Sequence, residues 1–182
     1  MAKDAYSLAQ ESLQKSQELA RISSDNYLGL SQAESELSSR LSFMKVQIQK
    51  NHEAAQKSSG ELRAELEKTN STADALYSAG TEKLQELDRE LMKLKECTSS
   101  LEEEMGKRPQ AKGKEQATLE AMKLSLSIMK TLLRCQAAYM KLLERLGVLR
   151  SYVETLEDLT SGEINWKEAQ RLLPKEKRRI AS

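Results

Sequence analysis

Apolar and small residues recur in a heptad pattern from Tyr6 to Leu62. With Tyr6 at position a, the pattern continues for nine heptads, as in a helix that packs along its length against another helix. Roughly half of the a and d positions hold Ser, Ala, Glu or Asn, which bury little apolar area. We therefore predict a long helix with a weak seam, where the seam is the line of a and d positions. Its main apolar members are Leu30, Leu37, Leu41, Met44 and Ile48.

The heptad frame is displaced by four residues after Leu62, in a region that also contains Gly60 and Gly80. An insertion of this size locally unwinds a supercoil, so we expect residues 58–82 to form a softer section, either a hinge or a widening of the bundle. The charges that flank the following seam would pair with opposite sign in a parallel two-stranded coil, although a solvated helix surface often has the same pattern. The seam residues in this second stretch are Leu84, Leu87, Leu91, Leu94 and Leu101.

The helical pattern is interrupted at residues 106–115. Gly106 suits a helix C-cap, Pro109 cannot continue a helix, and Gly113 adds backbone freedom. We predict a loop here. Its basic residues could contact a phosphate or an acidic partner, but cations near a helix C-terminus are also favoured by the helix dipole.

Residues 116–159 are more apolar than the first 106 and carry two adjacent apolar stripes. Together the stripes form an arc that is too wide for one neighbour, so we expect this helix to have at least two. The first stripe contains Leu119, Met122, Leu126, Met129, Leu133, Met140 and Leu143. The second contains Leu124, Ile128, Leu132, Cys135, Tyr139, Leu142, Leu146, Leu149, Val153 and Leu156.

The two helical stretches differ in length. If continuous, the first spans about 150 Å and the second about 65 Å, so the second can cover only residues 62–105. The N-terminal sixty residues should then project as a rod and need another chain, either in a homodimer of hairpins or in a hetero-oligomeric coiled coil. The predicted fold is all-α: a long coiled-coil helix (1–61), an antiparallel helical hairpin or bundle (62–160), and a short C-terminal helix with a basic tail (161–182).

The same layout bears on the two cysteines. It places Cys97 about 20 Å and Cys135 about 35 Å from the turn, so an intramolecular disulfide is not expected. We interpret both as small apolar fillers of a reducing compartment, with an intermolecular disulfide through Cys97 as the alternative.

The segment TSGEINWKEA contains the only tryptophan of the chain. Asn165 and Glu168 form a capping-box pattern that predicts a short helix over 166–173. This helix either folds back to cap its own bundle or anchors in a groove of a partner protein. The candidate partner-binding residues are Ile164, Trp166, Ala169 and Leu173. The basic residues that follow Pro174 are most simply a solvated terminus.

The sequence lacks the combinations of residues that usually support catalysis. His52 is the only histidine, the glycines do not form a phosphate-binding loop, and the carboxylates lie on exposed helix faces. We predict no enzymatic activity, no catalytic or metal-binding residues and no cofactor. The Asn70-Ser71-Thr72 triplet fits the N-glycosylation pattern, but three-residue matches are common by chance.

The chain has 29 basic and 28 acidic side chains, so no overall field attracts nucleic acid or an anionic membrane. No stretch approaches the roughly 18 apolar residues of a membrane span. We expect a structural subunit that oligomerises and scaffolds an intracellular assembly of cytoskeletal, centrosomal, kinetochore or trafficking type. A cytoplasmic location is favoured over a nuclear one. The alternatives are a regulatory module that binds one protein partner, such as a small GTPase or a helix, through its bundle groove and Trp166, and an extracellular coiled-coil rod.

Overall fold

The computed structural model describes residues 4–108, 110, 112–175, 177 and 178. These residues form four helices and no strand: α1 (Ala5–Gln56), α2 (Gly60–Gly106), α3 (Lys114–Ser161) and the short α4 (Trp166–Gln170). The three long helices pack together, which confirms the prediction of an all-α bundle. Pro109, the predicted breaker between α2 and α3, lies outside the described residues.

A tight reversal separates α1 from α2. The amides of Lys57 and Ser58 donate to the carbonyls of Ala54 and Ala55 at 3.2 and 3.1 Å, which closes the last turn of α1. Gly60 then has φ +64°, in a region that residues with a side chain rarely adopt. The length comparison that treated the first helical stretch as continuous to residue 105 therefore does not hold, because the chain turns at the start of the expected soft section. Within the expected soft section 58–82, only the first residues form a turn, and the rest is regular helix.

Packing divides the chain into two units, and each unit takes parts of all three long helices. Unit 1 consists of Met1–Ser31 and Arg89–Leu143. Unit 2 consists of Gln32–Asp88 and Glu144–Ser182. The expectation that the N-terminal sixty residues project as a rod is wrong, because α1 packs against other parts of the same chain in both units.

In unit 1 the small seam positions of α1 lie against α3. Ser125 Oγ is 2.9 Å from Ser16 Oγ and 3.0 Å from Ser12 Oγ, and Lys114 Nζ donates to Asp4 Oδ2 at 2.6 Å. Short side chains at these positions let the two helices approach closely. The buried apolar side chains of unit 1 are Ala9, Leu13, Ala20, Leu30, Leu94, Leu101, Ala121, Ile128, Cys135 and Leu142.

In unit 2 the absence of a side chain at one glycine allows a close contact between α1 and α2. A Cβ added to Gly80 of α2 would lie 3.3 Å from Leu41 Cδ1 of α1, so the missing side chain is what allows this contact. The core is built from the second half of α1, the first half of α2, and the end of α3. Its fully buried members include Leu37, Leu76, Leu87, Leu149, Val153 and Leu156.

The seam residues that were predicted to need a neighbouring chain are covered by other helices of the same chain. Only Leu84 and Leu91 are half-buried. The other eight are buried: Leu30, Leu37, Leu41, Met44, Ile48, Leu87, Leu94 and Leu101. The heptad pattern thus identifies the inward face correctly, but α2 and α3 supply the contacts. A role of these residues in an oligomer stays a prediction.

An ion pair joins α1 to α3 in unit 2. Arg40 Nε and Nη2 donate to Glu157 Oε1 and Oε2 at 2.9 and 2.6 Å. Each side chain keeps only 32% of its surface exposed. The hydrogen bonds from Arg40 hold the pKa of Glu157 below its ordinary value, and the same bonds raise the pKa of Arg40. The pair is therefore charged at neutral pH.

Replacing Gly60 with alanine tests the reversal. Because φ is positive at Gly60, we expect Gly60→Ala to lower the free energy of unfolding by about 1 kcal/mol. In the matched control Gly29→Ala, within α1, the change should raise it by up to about 1 kcal/mol, since alanine is the better helix former. An added Cβ meets nothing within 4 Å at either site, so packing does not confound the comparison. Urea unfolding measures the free energy of unfolding of both variants. Equal changes of the same sign would contradict the positive φ at Gly60.

The Arg40–Glu157 pair makes stability depend on pH. Because the folded pKa of Glu157 is lowered, its contribution is complete above the unfolded glutamate pKa of about 4.3 and is lost as pH falls through the folded value. We expect Glu157→Gln to cost about 1 kcal/mol at pH 7. The difference from the parent should shrink as pH falls below that unfolded pKa and through the lowered folded pKa of Glu157. Urea unfolding across this range measures it, and a difference that does not change with pH would contradict the ion pair.

Candidate functional site

The two apolar stripes of α3 have different environments. In the second stripe every residue is buried or half-buried, because it faces the interior of the bundle. The first stripe is largely exposed within unit 1, and we name its exposed members the outer stripe. Their exposed fractions lie between 40% and 62%. The outer stripe consists of Leu119, Met122, Leu126, Leu133, Met140 and Leu143.

The outer stripe borders a groove between α1 and α3, which we name the unit 1 groove. The groove encloses a cavity of about 290 Å³. On α1, Leu19 and Ile22 are 45% and 56% exposed, so both sides of the groove are apolar. The lining residues are Leu19, Ile22, Ser23 and Asn26 of α1 and Met129, Leu132, Leu133, Gln136, Tyr139 and Met140 of α3. Exposed apolar side chains that continue along two adjacent helices are typical of a protein-binding surface.

A row of basic side chains runs beside the outer stripe. Residues 121–143 contain no Asp or Glu. Each basic residue directly follows an apolar one, so the two rows lie about 100° apart on the helix. This basic row consists of Lys123, Lys130, Arg134 and Lys141, all exposed. It was not predicted, although the pairs Met-Lys, Met-Lys, Leu-Arg and Met-Lys at 122–123, 129–130, 133–134 and 140–141 signal it.

An acidic row lies on the α1 side of the groove. Glu11, Glu18 and Asp25 recur every seven residues and therefore share one face of α1. Ile22, which lines the groove, is four residues after Glu18 and three before Asp25, so both carboxylates neighbour it on the helix surface. Glu18 and Asp25 are exposed. The unit 1 groove thus has an apolar floor, a basic row on α3 and an acidic row on α1.

The side chains of this surface offer apolar contacts and fixed charges. Apolar side chains flanked by fixed charges can desolvate and orient a partner. Among the residues described, no group of three or more His, Cys, Asp or Glu side chains is placed to hold a metal ion. The predicted absence of enzymatic activity stays a prediction. None of the described helices has an apolar stretch long enough to cross a lipid bilayer.

The capping box of the tail is present as predicted. Asn165 Oδ1 accepts a hydrogen bond from the Glu168 amide at 3.0 Å, and Glu168 Oε2 accepts one from the Asn165 amide at 3.2 Å. The helix that follows is shorter than predicted and ends at Gln170. Because both hydrogen bonds connect residues three apart, this local structure could be predicted without knowing the packing.

The tail packs on unit 2 of its own chain. Ala169 and Leu173 are buried, whereas Ile164 and Trp166 are half-buried. Trp166 Nε1 donates to Glu65 Oε1 at 2.7 Å, and Lys68 Nζ lies 5.1 Å from the centre of the indole ring. Of the two predicted alternatives, the structure has the one in which the helix covers its own bundle. Binding of a partner by these four residues stays a prediction.

The basic end is also attached to unit 2. Lys177 Nζ donates to Ser78 Oγ at 2.9 Å and to Glu82 Oε1 at 2.6 Å, and Arg178 donates to the carbonyls of Leu173 and Arg171. The expectation of a solvated terminus is therefore wrong for Lys177, which is held against α2, whereas Arg178 is exposed and bonds to carbonyls of the tail itself. Glu176 and Arg179 lie outside the described residues.

A second cavity, of about 350 Å³, lies in unit 2. Two of its lining side chains are hydrogen-bonded to each other: His52 Nε2 lies 2.9 Å from Asp74 Oδ2. Asn70 also lines it, yet Asn70 is only 1% exposed and its amide has no hydrogen-bond partner in the described part of the chain. This burial keeps a glycosylating enzyme from the Asn70 amide in the folded protein. It favours the interpretation of the Asn70-Ser71-Thr72 triplet as a chance match.

The two cysteines meet in unit 1, which overturns the expected separation. Cys135 Sγ lies 2.8 Å from Cys97 Sγ. Cys97 is about 14 Å from the end of α2 and Cys135 about 32 Å from the start of α3, so the helix ends are not level. The segment between Gly106 and Lys114 can span more than 20 Å when extended, which is enough to cover the offset of about 18 Å. The prediction failed because it assumed level helix ends.

Comparisons with protein-family models, with curated protein sequences and with solved structures found no match.

The burial of Leu173 predicts that the tail is structural. Leu173 is 1% exposed and its neighbour Leu172 is 51% exposed. We expect Leu173→Ala to lower the free energy of unfolding by about 2–4 kcal/mol because it leaves a cavity. Leu172→Ala, the matched control, should change it by less than about 0.5 kcal/mol. Thermal unfolding followed by circular dichroism compares the two, and equal effects would contradict the packing of the tail.

Proposed function

We propose that this protein is a non-enzymatic helical binding module that joins a larger assembly by accepting an amphipathic helix of another protein in the unit 1 groove. The observation that carries the proposal is the exposed outer stripe. Six Leu and Met side chains of one helix remain accessible although the same chain covers almost all of its seam. A helix laid over them would bury apolar area and complete a four-helix arrangement in unit 1.

The basic row and the acidic row determine which charges a partner helix would need on its two flanks. A helix lying in the groove would place one flank beside Lys130 and Arg134 and the other beside Glu18 and Asp25. The complementary partner has an apolar stripe with acidic residues on one flank and basic residues on the other. Such flanking charges set orientation and partner choice more than affinity.

A helical partner fits these features better than a membrane surface does. The groove is concave, with a cavity that can receive side chains of a second helix. An anionic bilayer would be attracted by Lys123 and Lys141 but repelled by the carboxylates of Glu18 and Asp25. The near-zero net charge of the chain adds no general attraction to lipid.

Removing one apolar contact tests the proposal. The probe is a designed amphipathic helix of about four heptads with Leu at a and d, Glu on one flank and Lys on the other. We expect Leu133→Glu to weaken binding at least tenfold, roughly the effect of losing a central contact. Phe43→Glu is the matched control: Phe43 is 58% exposed, Leu133 is 62% exposed, and Phe43 lies in unit 2. Fluorescence anisotropy with labelled peptide measures both.

The outcomes separate the partner classes. A peptide with Lys on both flanks should bind several-fold more weakly, and reversal of that order would contradict the role of the basic row. Cosedimentation with phosphatidylserine vesicles but not with the peptide would replace the helix by a membrane. A mass of two chains that Leu133→Glu reduces to one would make a second copy the occupant. Unchanged folding of both variants, seen by circular dichroism, makes the comparison valid.

A further inference from the structure

The thiol pair of unit 1 has no role in the binding surface proposed above. Cys97 belongs to α2 and Cys135 to α3, and their sulfur atoms are in contact. Both are free thiols. The Cys97 thiol also lies 3.7 Å from the carbonyl oxygen of Thr131, one turn before Cys135. Two thiols held together by separate rigid helices need little backbone movement to reach the short sulfur–sulfur bond of a disulfide.

We propose that Cys97 and Cys135 form a reversible intramolecular disulfide that cross-links α2 to α3 when the chain meets a low-molecular-weight disulfide such as glutathione disulfide. This site is independent of the proposed partner. It replaces the interpretation of the two cysteines as inert fillers with that of a paired modification site.

The reaction balances as two thiol–disulfide exchanges. The Cys97 thiolate attacks one sulfur of glutathione disulfide, forms a mixed disulfide and releases one glutathione thiolate. Cys135 then loses its proton and attacks the Cys97 sulfur, which forms the protein disulfide and releases the second glutathione. In total the two cysteines lose two electrons and two protons, and glutathione disulfide is reduced to two glutathione molecules.

The difference in burial between the two cysteines determines which thiol attacks first. Cys97 is half-buried, so a small disulfide can reach it, whereas Cys135 is fully buried. Burial, with the neighbouring Cys97 as the next contribution, raises the pKa of Cys135 to about 12. A buried thiol that stays protonated is a poor first nucleophile, but it resolves a mixed disulfide placed beside it.

The disulfide would also restrain α3, which forms one wall of the unit 1 groove. Ser23 of α1, which lines the unit 1 groove, is near enough to Cys135 to lower its pKa, so all three long helices have a residue at or near the pair. A covalent link there joins α2 to the helix that carries the outer stripe. We therefore expect oxidation to suppress local opening of residues 89–106 and 114–143, which amide hydrogen exchange measures as slower exchange in both segments.

The experiment incubates the full chain with glutathione buffers of increasing oxidised fraction and then alkylates the remaining thiols. We expect a monomeric species that has lost two hydrogen atoms, takes up no alkylating reagent, and yields a cross-linked peptide pair in the mass spectrum. Its melting temperature should rise by roughly 5–15 °C relative to the reduced chain. Cys135→Ala should stop at the mixed disulfide of Cys97, and Cys97→Ser should react far more slowly at Cys135.

Several results would overturn the proposal. They are a parent chain that keeps two alkylatable thiols at every buffer ratio, one that stops at a mixed disulfide, and one that forms only disulfide-linked dimers. An equal yield of disulfide from the urea-unfolded chain would also overturn it, because the folded helices would then contribute no proximity. The Cys135→Ser variant, checked for helicity, provides a second test if Cys135→Ala does not fold. These results leave peptide binding in the groove untouched, so each proposal fails on its own measurement.

Discussion

The reversal between Gln56 and Gly60 decides what every apolar position of α1 contacts. A seam in which Ser and Ala occupy so many positions buries too little area to hold two long helices together by itself. Once the chain turns back after α1, small residues become useful, because Ser16 of the α1 seam and Gly80 of α2 each permit a close approach of a second helix. Each unit can therefore build its core from three helix segments, and the long helices are held by packing rather than by propensity.

The inward faces could be read from the sequence, but the partners of those faces could not. The heptad spacing from Tyr6 places its a and d positions on one side of the helix whatever covers them, and in the structure all of these positions in α1 are buried or half-buried. The signal for the reversal was weak, because Ser58, Ser59 and Gly60 contain no proline and a single glycine is tolerated within helices. Mistaking this turn for continuous helix produced the projecting rod and the need for a second chain.

The candidate site was predictable in part. Both stripes of α3 could be traced from the spacing. The expected two neighbours are α1 and α2, although the stripe that they cover is the second one and not both. Which stripe remains outside depends on where α1 and α2 lie around α3, and spacing along one helix does not contain that information. The offset between the end of α2 and the start of α3 cannot be predicted from spacing either, so the contact of Cys97 with Cys135 could not be foreseen. The capping box at Asn165 was readable because its two hydrogen bonds are local.

Methionine at the outer stripe has a consequence for the range of shapes that the surface can accept. Met122 and Met140 are more than half exposed, and Met129 lies in the groove beside them. An unbranched thioether side chain changes rotamer at low cost and adapts to ridges of different outline. A surface of this kind selects weakly by steric fit. If the unit 1 groove accepts a helix as proposed, discrimination among helices falls to the ordering of charge along their flanks, and sequences with little resemblance in their apolar residues would compete for the same groove.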